Sequence, residues 1–228
     1  MPKRRSERAK ERVTTREVNR AKVTFEFLTE NQQRAYEAYQ NNDILFLSGP
    51  AGTGKSFLAM AFAIKDILDR QRRHIILTRP IVEAGETLGS LPGDFNEKVN
   101  PYMLPLYDCY HKLCPGATLK NKVIEQAFQV APLAYMRGVT FDDSVCLFDE
   151  AQNATFAQLL LFLSRFGHNS KMVITGDPRQ TDLRERSGLR TVVDRLGDVP
   201  GIGVVTFTNA DIVRHPLVAA ILERLENA

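Results

Sequence analysis

The chain has 228 residues, 43% of them hydrophobic, with 30 Lys plus Arg against 27 Asp plus Glu. That length and apolar fraction suit one α/β domain with a buried core and argue against an elongated or disordered chain. The longest run without Asp, Glu, Lys or Arg, residues 151–164, has 14 residues, well short of the roughly 20 apolar residues of a membrane-spanning helix. A soluble protein with no membrane partner is therefore expected. No apolar segment follows the basic N-terminus, so a secretory signal is not expected. Three cysteines (Cys109, Cys114 and Cys146) are too few for a disulfide framework, and a cytoplasmic, reducing setting is the expectation.

The net charge of +3 is unevenly distributed. Residues 1–22 hold nine basic and three acidic side chains, a net of +6, which leaves 21 basic and 24 acidic groups, a net of −3, in residues 23–228. Residues 1–22 read as a basic, disordered tail, either merely solvated or a contact arm for polyanions. Residues 23–228 read as a single domain.

In that domain apolar runs of strand length alternate with helical patterns, the signature of a parallel sheet with crossover helices on both faces. In chain order the predicted elements are a helix at 30–41, a strand at 44–48, a helix at 55–71 and a strand at 74–78. Residues 84–116 hold four Gly and four Pro and read as an inserted excursion of turns and a short helix. Next come a strand at 144–148, a helix at 155–166, a strand at 171–175, a helix at 187–196, a strand at 204–208 and a helix at 216–226. About five strands are expected. Four of them are near-continuous β-branched or Leu/Phe runs, as strands covered on both faces require. In the 155–166 helix, Leu159, Phe162, Leu163 and Phe166 follow the spacing of one buried face.

Between the first strand and its helix stands Gly49-Pro50-Ala51-Gly52-Thr53-Gly54-Lys55-Ser56, which fits the phosphate-binding pattern G-x-x-x-x-G-K-[ST] in the required context. Small residues let successive backbone N–H groups curl around phosphate oxygens, and the helix N-terminus adds its partial positive charge. Lys55 is expected to reach the β- and γ-phosphates and the Ser56 hydroxyl to bind Mg²⁺. Gly49 through Ser56 and the adjoining Phe57 form the expected nucleotide-binding set.

Asp149-Glu150 closes the apolar strand at 144–148 in the manner of a Walker-B strand. Asp149 is assigned to Mg²⁺ through water, and Glu150 to the attacking water. Both acids also suit the start of the next helix, where Thr155 and Gln158 form a capping box. The following strand ends in Thr175-Gly176-Asp177-Pro178-Arg179-Gln180. Gln180 is the candidate γ-phosphate contact, and Asp177-Pro178 is equally a plain turn. In an open parallel sheet, ligands bind outside the carboxyl ends of the strands, and all of these residues fall at that edge.

The phosphate loop, Thr78-Arg79-Pro80, Glu83-Ala84-Gly85-Glu86, Leu91-Pro92-Gly93, the segment from Ala131 to Gly138, Asp149-Glu150-Ala151-Gln152-Asn153, Thr175-Gly176-Asp177 and the segment from Val213 to Val218 together resemble the PhoH family of P-loop ATPases, in order from about Leu28 to the C-terminus. That family resembles the first RecA-like lobe of superfamily 1 helicases, which also carry D-E-x-Q and G-D-x-x-Q segments. The resemblance implies an α/β P-loop NTPase of RecA-like form. It also implies an ATPase using ATP and Mg²⁺, and a homo-oligomeric ring with a hexamer as candidate size. Single-stranded RNA or DNA is the implied partner.

The segment from Leu28 to Ala35 is similar to the helicase Q motif, in which Gln32 reads the adenine edge; Thr29-x-x-Gln32 is equally a capping box. Arg214, just before Pro216, is the expected arginine finger acting in trans, with a surface pair to Asp211 as the bland alternative and Arg79 and Arg137 as substitutes. Cys109-x-His111-x-x-Cys114 supplies three zinc ligands without a fourth, so Cys109 is read as core filler. The competing functions are a small-molecule kinase, disfavoured by Glu150 beside the site, and a nucleotide-gated RNA- or DNA-binding module with negligible turnover.

Overall fold

The computed structural model describes residues 26–80, 95–115, 119–180, 187–213 and 224, with backbone alone at 95–100 and 119–121. The elements are α1 (Glu30–Asn41), β1 (Ile44–Ser48), α2 (Lys55–Leu68), β2 (His74–Thr78), α3 (Phe95–Leu113), α4 (Leu119–Ala127), β3 (Phe128–Val130), β4 (Ser144–Phe148), α5 (Phe156–Leu163), β5 (Lys171–Gly176), α6 (Gly188–Leu196) and β6 (Ile202–Thr206). The expected tail, and the expected helix at 216–226 apart from Arg224, lie outside the described residues.

The strands form one sheet in the order β3-β2-β4-β5-β1-β6, and every pairing is parallel. Alternation along each strand divides the core in two, because successive side chains leave a strand on opposite faces. Leu45, Leu47, Ile75, Leu77, Val145, Leu147 and Val173 face α1 to α4. Phe46, Ile76, Cys146, Phe148, Met172 and Ile174 face α5 and α6. The near-continuous apolar runs are thus strands covered on both sides, as the sequence predicts.

Two helices end early, at Leu68 and Leu163 instead of 71 and 166, which leaves Phe166 exposed and off the buried face, and three larger expectations change. The sheet has six strands, not five: the added one, β3, is a three-residue edge strand paired only to β2, ended by Pro132, which has no N–H to give a ladder. β6 starts two residues earlier than predicted, because pairing of Ile44 with Ile202 draws Ile202 and Gly203 into the sheet. The excursion contains a 19-residue helix, α3, with Pro101 and Pro105 inside it, where a short one was expected. Each interior proline costs about 3 kcal/mol. Met103, Leu106 and Tyr110, at 0–2% exposure, lie on one helical stripe in the α1–α4 core, and burial at about 1.5–3 kcal/mol per large side chain is of the same size. Tertiary packing holds the helix that local propensity disfavours.

Candidate nucleotide site

The sheet order places β5 between β1 and β4, so the phosphate loop after β1, Asp149 after β4 and the turn after β5 share one edge. Gly49, Gly52 and Gly54 have φ of 142°, 84° and 85°, left-handed values that side chains disfavour. At Gly49 space is also absent: a Cβ there would lie 2.5 Å from the carbonyl oxygen of Phe207. The Gly49 N–H donates to the Gly176 carbonyl (3.1 Å), which fixes the loop to β5. The loop is braced from two further directions. Gln32 Nε2 donates to the Thr53 carbonyl (3.2 Å), and the Val213 N–H donates to the Gly52 carbonyl (2.9 Å).

Beneath the loop is a cleft of about 270 Å³ whose walls include Lys55, Ser56, Phe57, Asp149, Glu150 and Gln180. Lys55 is 9% exposed, and its Nζ donates to the Gly49 (2.6 Å) and Pro50 (2.7 Å) carbonyls. The ammonium is thereby held at the loop mouth by neutral acceptors, which an anionic phosphate outcompetes. Asp149 is 3% exposed and Oδ1 accepts from the hydroxyls of Ser56 (2.6 Å) and Thr175 (2.5 Å). The Thr175 contact follows from register: Phe148 pairs with Ile174, so one residue further Asp149 lies beside Thr175. Ser56 Oγ and the Asp149 carboxylate are adjacent hard oxygen donors, the set a small divalent cation such as Mg²⁺ takes alongside water and phosphate oxygens. The residues fit that ion.

Glu150 has φ of 54°, a left-handed conformation that costs a non-glycine residue about 1–2 kcal/mol. Its carboxylate meets Arg79 Nη2 (3.4 Å) and accepts from Gln152 Nε2. Gln152 is buried, and its Oε1 accepts the Asp177 N–H (3.0 Å). Arg79 Nη1 lies 4.0 Å from Asp149 Oδ2 and donates to the Tyr102 carbonyl of α3 (3.3 Å). The sequence places Arg79 and Thr175 at this edge but gives neither its carboxylate partner, and it assigns no role to Gln152. Each depends on strand register or a long-range contact, and only the Asp-Glu-x-Gln spacing offered a local signal for Gln152.

The remaining candidates divide. Gln180 is exposed on the rim of the cleft, with its N–H donated to the Asp177 carbonyl (3.0 Å). Gln32 is buried at 5% exposure and lies outside the cleft lining. Its N–H meets the Thr29 hydroxyl (3.3 Å), which realises half of the capping box, while its Oε1 accepts from the Leu28 N–H (2.8 Å). With Nε2 on Thr53, the amide braces the loop, and an adenine would find only its remaining hydrogen and lone pair. The Thr155–Gln158 capping box forms in full. Arg137 is exposed on the loop after β3, away from the cleft lining. Arg214 lies outside the described residues. Asp211, its expected surface partner, already accepts from Asn31 Nδ2 (2.8 Å) and the Thr208 N–H (2.8 Å). Cys109 is half-buried, packs against the α1–α4 core and also lines the cleft. Burial, with the Asp149 charge second, pushes its thiol up to about 11, so it is no nucleophile at neutral pH. No group of three His, Cys, Asp or Glu able to hold a metal occurs among the described residues, and no helix among them is long and apolar enough to cross a membrane.

Comparison with known proteins agrees with this geometry. The chain is 48% identical over 198 residues to a PhoH-like protein of Bacillus subtilis (strain 168), covering 86% of this chain and 62% of that protein. It is 37% identical over 193 residues to the protein PhoH of Escherichia coli (strain K12), covering 82% and 54%. It thus spans little more than half the length of these relatives. Among solved structures, the large terminase of a thermophilic bacteriophage superposes with a TM-score of 0.56 at 12% identity, covering 86% of this chain and 50% of that one, a likeness of fold. The fold is that of a P-loop NTPase. The family described as PhoH-like protein matches residues 24–226, and the chain belongs to that family.

Proposed function

We propose that this chain is a Mg²⁺-dependent ATPase that works as a homo-oligomeric ring, with a hexamer as the candidate size, and is coupled to single-stranded RNA or DNA. The observation that carries the reading is the meeting, in one cleft, of the phosphate loop, the Ser56–Asp149 pair and Glu150. Lys55 moves from the Gly49 and Pro50 carbonyls to the β- and γ-phosphates. Ser56 and, through water, Asp149 would hold Mg²⁺, which would supply charge neutralisation of the phosphates. Water attacks the γ-phosphorus as the bond to the β–γ bridging oxygen breaks, Glu150 takes the water's proton, and ADP and phosphate leave. Gln180 contacts the γ-phosphate from the rim.

A cation opposite Glu150 completes such a site, and Arg214 of a neighbouring subunit is assigned that role. Arginine fingers contribute about 10³ to 10⁵ in rate, so hydrolysis per subunit rises steeply with protein concentration. In mixtures, Lys55→Ala subunits, inactive themselves but carrying Arg214, restore activity to Arg214→Ala subunits; absence of rescue sinks the trans arrangement. Nucleic-acid coupling is tested by phosphate release with and without single-stranded RNA or DNA, on the full chain and on one lacking residues 1–22. The +6 tail makes it the first suspect for electrostatic binding, and its removal flattens the salt dependence.

One observation favours the second reading, a nucleotide-gated RNA- or DNA-binding module with negligible turnover: both Glu150 oxygens are held by the protein's own donors. Glu150→Gln then leaves nucleic-acid binding and release unchanged, whereas it traps a working ATPase with ATP bound.

A further inference from the structure

Glu150 takes part in ATP hydrolysis only if one of its oxygens turns toward the water that attacks the γ-phosphorus. In the structure neither oxygen is uncommitted. Oε1 faces the Arg79 guanidinium at 3.4 Å, and Oε2 accepts from Gln152. The guanidinium is itself fixed. Arg79 directly follows β2, the strand paired to β4, is only 21% exposed at its side chain, and spans from Asp149 to the Tyr102 carbonyl of α3. Planar and multiply donating, arginine is suited to bridge several acceptors at once, as lysine is not.

We propose that Arg79 is a positioning residue of the hydrolysis reaction, acting within its own subunit: it holds Glu150 toward the β2 side of the cleft, and hydrolysis requires that hold to loosen. The proposal rests on the reading that Glu150 accepts the water's proton. It gives Arg79 a role within its own subunit, separate from that of an arginine finger supplied in trans. It also gives α3 a role. Tyr102 anchors one edge of the guanidinium, so a displacement of α3 frees Arg79 and with it Glu150. Hydrolysis is then set from the inserted helix as well as from the phosphate loop.

The test is steady-state phosphate release and ATP binding for wild type, Arg79→Ala, Arg79→Gln and Arg79→Lys. Arg79→Ala is expected to raise kcat about twofold to fivefold, the size of a partly exposed ion pair, with ATP affinity within about twofold of wild type. Arg79→Lys falls between. In a Glu150→Gln background, Arg79→Ala adds nothing to kcat, since no carboxylate remains to release. A purely structural role moves kcat down and melting temperature with it, and cannot raise the rate. If Arg79→Ala fails to fold, Arg79→Gln carries the same measurement. A wild type that hydrolyses ATP beside an Arg79→Ala or Arg79→Gln variant of equal or lower kcat overturns the proposal and leaves the ATPase reading intact. Absence of hydrolysis in every form, with ATP bound, overturns the ATPase reading and the proposal together.

Discussion

Ser56, at the start of α2, donates its hydroxyl to Oδ1 of Asp149 at the end of β4, 2.6 Å away across 93 residues of chain. The contact links phosphate loop to carboxylate at the position where a divalent cation would join them, and Thr175 supports the same oxygen from β5. Ser56→Ala is therefore expected to raise the Mg²⁺ concentration needed for half-maximal ATP binding about tenfold while leaving ATP binding without Mg²⁺ unchanged. Titration calorimetry with and without the metal checks this; equal loss under both conditions contradicts the assignment.

Gln32 gives a second prediction. Its amide braces the loop at Thr53 and the chain at Leu28, so Gln32→Ala removes two hydrogen bonds at a buried position, each worth about 0.5–1.5 kcal/mol. ATP and GTP are expected to weaken by the same factor, read by competition against a fluorescent nucleotide. Selective loss of ATP places the amide on the adenine instead.

Two glycines make a contrast. Gly49→Ala puts a Cβ 2.5 Å from the Phe207 carbonyl oxygen at φ 142°, and the loop has nowhere to move because Gly49 also bonds β5. Gly138→Ala also meets positive φ, 79°, but nothing lies within 4 Å, so only the backbone cost of about 1–2 kcal/mol applies. Thermal melts and ATP binding are expected to show Gly49→Ala losing both stability and nucleotide, and Gly138→Ala losing a little stability alone.

The legibility of these features differs for physical reasons. β1, β2 and β4 have the predicted ends because each is a five-residue apolar run bounded by polar or turn residues. The phosphate loop was readable because its chemistry demands glycines and a lysine at fixed spacing. β3 was not, because Phe128–Val130 is half-exposed, short and stabilised by β2 rather than by its own pattern. Pro101 and Pro105 disguised α3, whose stripe of Met103, Leu106 and Tyr110 is apparent only once its packing face is known. The same limit hid Arg79: a strand-end arginine gives no sign of its carboxylate partner until register sets β2 beside β4.

Asp211 supplies a pH prediction. Burial pushes its carboxyl up, but the Thr208 N–H and the Asn31, Thr29 and Thr208 side chains outweigh that and hold it below the ordinary value. A depressed folded-state value means that the ionised form favours folding: the contribution is present above the unfolded value of about 4 and is lost as pH falls through the folded one. Asp211→Ala is expected to destabilise the protein by about 1–3 kcal/mol at pH 7, through buried donors left unpaired, and by less near pH 3. Denaturant melts at both pH values check it; a difference that grows in acid contradicts the carboxylate's role.

Hydrolysis of ATP in this cleft, with Glu150 as the group that takes the proton from water, is tested most directly by phosphate release from ATP and Mg²⁺ with no acceptor molecule. Wild type and Glu150→Gln are compared at a concentration where both bind ATP. Mg²⁺-dependent release by wild type is expected, with a fall of about 10² or more in Glu150→Gln while ATP is retained. Equal rates in the two proteins would contradict Glu150 as the proton acceptor.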